Sequence, residues 1–235
     1  MNTLELVSCH QDSATEKVKS GDIILIGNPN VGKSVIFGEL TKHYVTVSNY
    51  PGTTIEITIG ALPDGTSVID TPGTNSLTSI SDDERVTPNV LFEHLNDLPM
   101  VVQIADMKNL QRALLLTLQL AELNVMMILN LNMMDEAHAN GVSIDTDLLS
   151  QRLGISVSCT IASQGVGLDQ LRESIGYSQR PSWQVIYDSS LEEAIEKVQA
   201  LFPTDTVMTR GLAIRLLCGE TSIGIMPYDG DALAT

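Results

Sequence analysis

The sequence predicts an α/β fold: a mostly parallel β-sheet covered by helices, followed by a small helical subdomain. Three observations predict it. Short, near-continuous apolar runs alternate with helical segments, the pattern of a sheet buried on both faces. The first of these runs ends in a glycine-rich turn that opens a helix. After Gly176 the strand texture stops, and two helical patterns follow a proline-containing stretch.

Taken in order, residues 1–20 are polar and lack the apolar segment of a signal peptide, so they are expected to form an N-terminal extension. "DIILIG", Asp22 to Gly27, is apolar, β-branched and bounded by glycines, as a buried strand should be. A helix is expected from Lys33 to Lys42. "TIEITIGAL" and "TSVID" read as strands joined through "PDG", Pro63 to Gly65, a hairpin turn. "PMVVQIAD", "NVMMILNL" and "ISVSCT" read as further buried strands, alternating with helices near Leu110–Leu123, Asp145–Leu153 and Leu168–Ile175. The most lipid-like stretch, Ala113 to Met134, carries Gln119, Glu122, Asn124 and Asn130, which a bilayer core would penalise. It reads instead as a helix, a turn near Asn124 and a strand. The expected organisation is a main domain over 21–177, a linker over 178–187 and a small helical domain over 188–235. In that last part Leu191, Ile195, Val198, Leu201 and Phe202 share one helical stripe, and "TRGLAIRLLCGE" is a second helix stopped by Gly219.

Composition narrows the function classes. Of 235 residues 43% are hydrophobic, enough to bury a substantial core. The formal charge of -16, from 13 basic against 29 acidic residues, argues against a nucleic-acid partner, because phosphate neutralisation needs clustered Lys and Arg. Three dispersed cysteines, Cys9, Cys159 and Cys218, match no metal spacing and suit a reduced compartment. The histidines, His10, His43, His94 and His138, are equally scattered.

The chemistry begins directly after the first strand. "GNPNVGKS", Gly27 to Ser34, satisfies G-x-x-x-x-G-K-[ST] with a strand before it and a helix after it. The loop Gly27, Asn28, Pro29, Asn30, Val31, Gly32, Lys33, Ser34, with Val35 behind it, would turn successive backbone N–H groups toward a phosphate at a helix N-terminus. Lys33 would reach the β/γ-phosphates and the Ser34 hydroxyl would bind Mg²⁺. "VIDTPG" ends a later strand with Asp70-x-x-Gly73, in which Asp70 would hold Mg²⁺ and the Gly73 N–H would meet a γ-phosphate. Alone such a tetrapeptide is an ordinary turn, and its position behind a P-loop is what gives it meaning. Between them, "NYPGTTIE" carries Thr53 and Thr54, and Thr54 would close over Mg²⁺ and the γ-phosphate in a loop that orders with GTP and relaxes after hydrolysis.

The base-reading end follows from "NLNMMD", Asn130 to Asp135. Asp135 would accept from guanine N1–H and the exocyclic amine together, a pair of donors that adenine lacks, so the wrong base leaves a carboxylate unpaired. Asn132 would brace the loop and reach N7, and Met133 would offer apolar contact to the base. "CTIAS" places Thr160, Ile161 and Ala162 after the last strand, with the Ala162 N–H as donor to guanine O6. The fold class these motifs specify is a Ras-like P-loop GTPase binding GTP and GDP.

"GNPNVGKS", "NYPGTTIE", "DTPGTNSL", the following "SDDE" and "NMMDEA" together resemble the cytosolic GTPase domain of the bacterial ferrous-iron transport protein B family. The resemblance runs from about Asp22 to Ile175, and more loosely through "LEEAIEKVQALFP". Thr71, Thr53 and Ile161 depart from that family's usual hydrophobic residue, valine and small hydroxyl residue. The resemblance implies slow GTP hydrolysis that regulates ferrous-iron transport. It also implies a place on the cytoplasmic face of the bacterial inner membrane, beside a membrane-embedded transporter portion of the same protein. It further implies that Asn30 helps hold K⁺ against the phosphates, which would supply the charge of an arginine finger. That matters because Gly73 is followed by Thr74, too short to position water as a glutamine would. Two other functions fit the motifs: a stand-alone GTPase of ribosome or RNA maturation, against which the acidic C-terminal region argues, and a GTP/GDP sensor with little turnover.

Overall fold

The computed structural model describes residues 21–41, 43–78, 85–202 and 208–220. The expected N-terminal extension, the "SDDE" stretch and the end of the expected helical domain lie outside the described residues.

Seven strands form one sheet in the order β2-β3-β4-β1-β5-β6-β7. The strands are β1 (Ile23–Gly27), β2 (His43–Asn49), β3 (Glu56–Ala61), β4 (Ser67–Asp70), β5 (Met100–Asp106), β6 (Met126–Asn132) and β7 (Ser156–Cys159). From β4 to β7 every pairing is parallel, and β2 and β3 add an antiparallel edge. The α/β class with a mostly parallel sheet is therefore the observed one.

Alternation along each strand divides the core into two layers. Ile24, Ile26, Val101, Met127, Leu129 and Leu131 face one layer, whereas Ile23, Leu25, Val102, Ile104 and Ile128 face the other. Because both faces are covered, β1, β5 and β6 are almost wholly apolar, which is why they were legible as runs. On one face lie α1 (Lys33–Thr41), inserting Ile36, Phe37 and Leu40, and α6 (Leu168–Ile175), inserting Leu171. On the other lie α2 (Val86–Glu93) and α3 (Leu110–Glu122), with Leu91, Leu116 and Leu120 fully buried. The lipid-like stretch resolves into α3, a turn with Asn124 at φ 53°, and β6. Among the described residues no helix is long and apolar enough to cross a membrane.

The short α4 (Met134–Ala139) follows β6, and α5 (Thr146–Leu153) is capped by Asp145, whose Oδ1 accepts from the Leu148 N–H at 2.9 Å. After an irregular stretch come α7 (Ser189–Ala200) and α8 (Arg210–Leu217), which bury Ile195, Val198, Leu212 and Leu216 against the same layer as α3. Arg210 Nε pairs with Glu122 at the end of α3 at 2.7 Å, and its other nitrogens reach Glu192 of α7.

Three elements were not expected. β2 is an edge strand with Val45 and Val47 exposed, so it has no burial pattern to read. Helix α2 contains Pro88, tolerated because it falls in the first turn, where no intrahelical donor is lost. Helix α4, of 6 residues, is less than two turns long. One stripe member is also corrected: Leu201 lies beyond the last residue of α7 and is 66% exposed.

Candidate nucleotide site

Parallel pairing sets the carboxyl ends of β4, β1, β5, β6 and β7 along one edge, where ligands of open α/β sheets sit. Register fixes which residues meet there. Leu25 pairs with Asp70, Gly27 with Ile104, Asp106 with Asn132, and Leu131 with Cys159.

At the phosphate end the buried Lys33 Nζ lies 2.5 Å from Asp70 Oδ1, both side chains being 9% exposed. The Ser34 hydroxyl donates to Asp70 Oδ2 at 2.7 Å. One carboxylate thus gathers the ammonium and the hydroxyl expected to meet phosphate and metal. The P-loop is also tied to the segment after Asp70. The Thr74 N–H donates to the Gly27 carbonyl at 2.9 Å, and Asn28 Nδ2 donates to Asn75 Oδ1 at 3.1 Å. Gly73 lies so close that a Cβ there would sit 2.8 Å from the Pro29 Cα. Only a glycine lets these two loops close up.

Asn30 has φ 63°, is exposed, and its carboxamide makes no hydrogen bond among the described residues. Thr54 is likewise exposed and makes none. Thr53 donates its hydroxyl to the Tyr50 carbonyl at 3.0 Å. The Thr74 hydroxyl donates to the Ser76 carbonyl at 2.6 Å, which turns it away from solvent. Val35 is 47% exposed behind the loop, and Val31 is buried.

At the base end Asn132 is the hub. Its Nδ2 donates to the Val31 carbonyl at 2.9 Å. Its Oδ1 accepts from the Thr160 hydroxyl and from the Ala162 N–H, each at 3.0 Å. One side chain therefore joins the phosphate loop, β6 and the loop after β7. Gly32, at φ 84°, leaves the space that the Asn132 amide occupies. The Ala162 N–H, the expected donor to a guanine O6, here donates to Asn132 Oδ1. The Thr160 hydroxyl is fully buried between Asn130 and Asn132, where it supports the hub. Ile161 forms a bridge with Val166 that closes the loop. Met133 is left-handed at φ 62° and opens α4. Asp135 is half-buried, and its one hydrogen-bonding partner among the described residues is Gln164 Nε2 at 3.2 Å.

Sequence reading missed two neighbours. Lys108, after β5, brings its Nζ to within 3.9 Å of Met133 Sδ while pairing with Glu136 at 2.5 Å. Arg112 of α3 donates to Asn75 Oδ1 at 2.9 Å, extending the Asn28 network. Neither lies in a motif, and only the fold brings them near.

Comparison with known proteins agrees with this geometry. A family model described as "Ferrous iron transport protein B" matches residues 21–175. The "Fe(2+) transporter FeoB" of Staphylococcus aureus strain MSSA476 is 34% identical over 208 residues, covering 85% of this chain and 31% of that protein. The chain therefore spans about a third of the relative's length. Among solved structures, a GDP-bound mutant of S. thermophilus NFeoB superposes with a TM-score of 0.75 at 31% identity, over 86% of this chain and 81% of that one. The S. thermophilus NFeoB bound to GDP, AlF4⁻ and K⁺ gives a TM-score of 0.71 at 31% identity, over 86% of this chain and 81% of that one.

Proposed function

The chain belongs to the ferrous-iron transport protein B family, and from that premise we propose that it binds GTP and GDP, hydrolyses GTP slowly, and thereby regulates ferrous-iron transport. The observation that carries the proposal is the division of labour around Asn132. That residue is consumed in joining the two ends of the site, while Asp135 keeps a half-buried carboxylate with one weak partner. Such a carboxylate suits the paired donors of guanine and penalises adenine.

Lys33, the loop N–H groups and the Gly73 N–H stabilise phosphate charge as it develops, which is the greater part of phosphoryl-transfer catalysis. Thr54 joins them when its loop closes. Ser34 Oγ and Asp70 Oδ2 are adjacent hard oxygen donors that fit Mg²⁺, which would neutralise phosphate oxygens there. The uncommitted carboxamide of Asn30 fits K⁺, which would supply charge between the β- and γ-phosphates. Thr74 is turned to Ser76 and positions no water, which supports a slow basal rate. The same observation favours one alternative, a GTP/GDP sensor with little turnover. The larger protein to which this domain would belong places it on the cytoplasmic face of the bacterial inner membrane, with a membrane-embedded transporter portion as its partner. We place the domain limits at 21–177, with a linker over 178–187 and helical segments from 188.

The test is equilibrium binding of GTP, GDP and ATP to the purified chain, with phosphate release followed under excess GTP. Equal affinity for ATP and GTP would overturn the reading, and guanine-selective binding without measurable turnover would favour the sensor.

A further inference from the structure

The segment between β2 and β3 that carries Thr54 is closed on itself through Tyr50. The Tyr50 N–H donates to the Ile55 carbonyl at 2.8 Å. The Tyr50 carbonyl accepts from the Thr53 N–H and the Thr53 hydroxyl, each at 3.0 Å, and that hydroxyl accepts from the Ile55 N–H at 3.2 Å. Residues 50–55 thereby form one tight turn whose closing bonds run through Tyr50, so the turn is only as fixed as Tyr50 is. The Tyr50 ring is half-buried against the main core layer. Its hydroxyl donates to Glu93 Oε1 at 2.5 Å.

A hydrogen bond restrains a loop only if its far end is fixed, and α2 is fixed at both ends. The Thr87 hydroxyl in its first turn donates to the Pro72 carbonyl, beside Gly73, at 2.7 Å. Near its last turn Phe92 is fully buried and the Arg215 guanidinium of α8 lies 4.4 Å over its ring. The same Arg215 donates to the Leu77 carbonyl, just beyond the Gly73 segment. At 1.5 Å per residue, Glu93 lies roughly 9 Å along α2 from the Thr87 end that touches Pro72. The Thr54 turn is therefore anchored at the end of α2 remote from the phosphate loop, consistent with Thr54 being exposed and without a hydrogen bond.

We propose that the Tyr50–Glu93 hydrogen bond is a latch that holds the Thr54 turn in its γ-phosphate-free position, so that Tyr50 positions Thr54 and sets the balance between the diphosphate and triphosphate states. The inference rests on the GTPase reading. A ligand shifts a conformational balance only by its differential affinity for the two states. Removing the latch therefore helps the triphosphate, which needs Thr54 moved, and leaves GDP alone.

Tyr50→Phe keeps the ring packing, and Glu93→Ala changes an exposed helix residue. The first measurement is amide hydrogen exchange of residues 50–55 in the nucleotide-free chain. Exchange at Thr53 is expected to be about five-fold faster in either variant, and unchanged exchange overturns the latch whether or not the chain is a GTPase. The second is the ratio of affinities for a non-hydrolysable GTP analogue and GDP. Each variant is expected to raise it about five-fold, with GDP affinity unchanged and the double variant no different from either single one. An unchanged ratio, or additive effects, overturns the positioning role. Loss of all nucleotide binding by the unmutated chain would instead overturn the GTPase reading, leaving the exchange result to decide the latch.

Discussion

Replacing Asn132 tests whether one side chain holds the two ends of the site together. Asn132→Ala removes the partners of the Val31 carbonyl, the Ala162 N–H and the Thr160 hydroxyl. Thr160 keeps its bond from Asn130 Nδ2 at 2.8 Å, so the main loss falls on the two backbone groups. Val31 and Ala162 are each 4% exposed, so water cannot readily replace the lost partner. A buried polar group left unsatisfied costs about 1–3 kcal/mol, giving about 3 kcal/mol for the pair. In a chain of this size that lowers Tm by roughly 6–12 °C. Asn132→Asp separates the two halves of the argument. It keeps an acceptor for Thr160 and Ala162 but sets a carboxylate oxygen against the Val31 carbonyl, so it should not rescue the alanine variant. The assay is thermal unfolding without nucleotide, followed by circular dichroism. A Tm for Asn132→Ala within 2 °C of the unmutated chain, by the same per-degree scale, would refute the hub.

Lys33→Ala and Ser34→Ala are each expected to lower GTP turnover by about 100-fold, the scale of losing one preorganised charge or donor; phosphate release under saturating GTP checks this. Asp135→Asn should shift preference from GTP toward XTP by roughly 100-fold or more, because the carboxamide reverses one donor–acceptor relation. Competition binding with the two nucleotides reads the shift, and unaltered GTP preference would remove Asp135 from the base site. Turnover should be faster in KCl than in NaCl at matched ionic strength, and the difference should vanish in Asn30→Ala. Equal rates in the unmutated chain would dispose of the K⁺ role.

The parts of the fold that could be read in advance are those whose side chains are decided by local burial. β1, β5 and β6 are covered on both faces, so each is a near-continuous apolar run, and the turn at Asn124 follows from the polar interruption between α3 and β6. β2 escaped because nothing buries it, and Val45 and Val47 look no different from surface valines. The site divides in the same way. Lys33, Ser34 and Asp70 were identifiable because phosphate loops need fixed residue types at fixed spacings, and they do converge. The bonds that Thr160 and Ala162 make to Asn132 were not identifiable, because they follow from the tertiary placement of β6 beside the loop after β7, which no local pattern fixes. Arg112 and Lys108 reach the site through tertiary placement alone.

The resting arrangement explains why the phosphate end and the base end can be tuned separately. Lys33 and Asp70 form a buried pair, and breaking such a pair by removing one partner is costly because it strands the other charge. Lys33 can turn to a phosphate only if Asp70 keeps other company, and Ser34, already at 2.7 Å on its second oxygen, holds part of that place. The exchange of partners is thus a local rearrangement of three side chains on β4 and α1. At the base end there is no such exchange. Asn132 spends its Oδ1 and one Nδ2 hydrogen on the frame and cannot withdraw them without stranding backbone groups of Val31 and Ala162. That leaves its second Nδ2 hydrogen as the only donor it has to offer a base. Asp135, one residue into α4 and held by Gln164 alone, is the group free to respond to the base. On the proposed reading, affinity for phosphate would depend on a charge redistribution, whereas base selectivity would depend on a carboxylate displayed from a well-bonded frame.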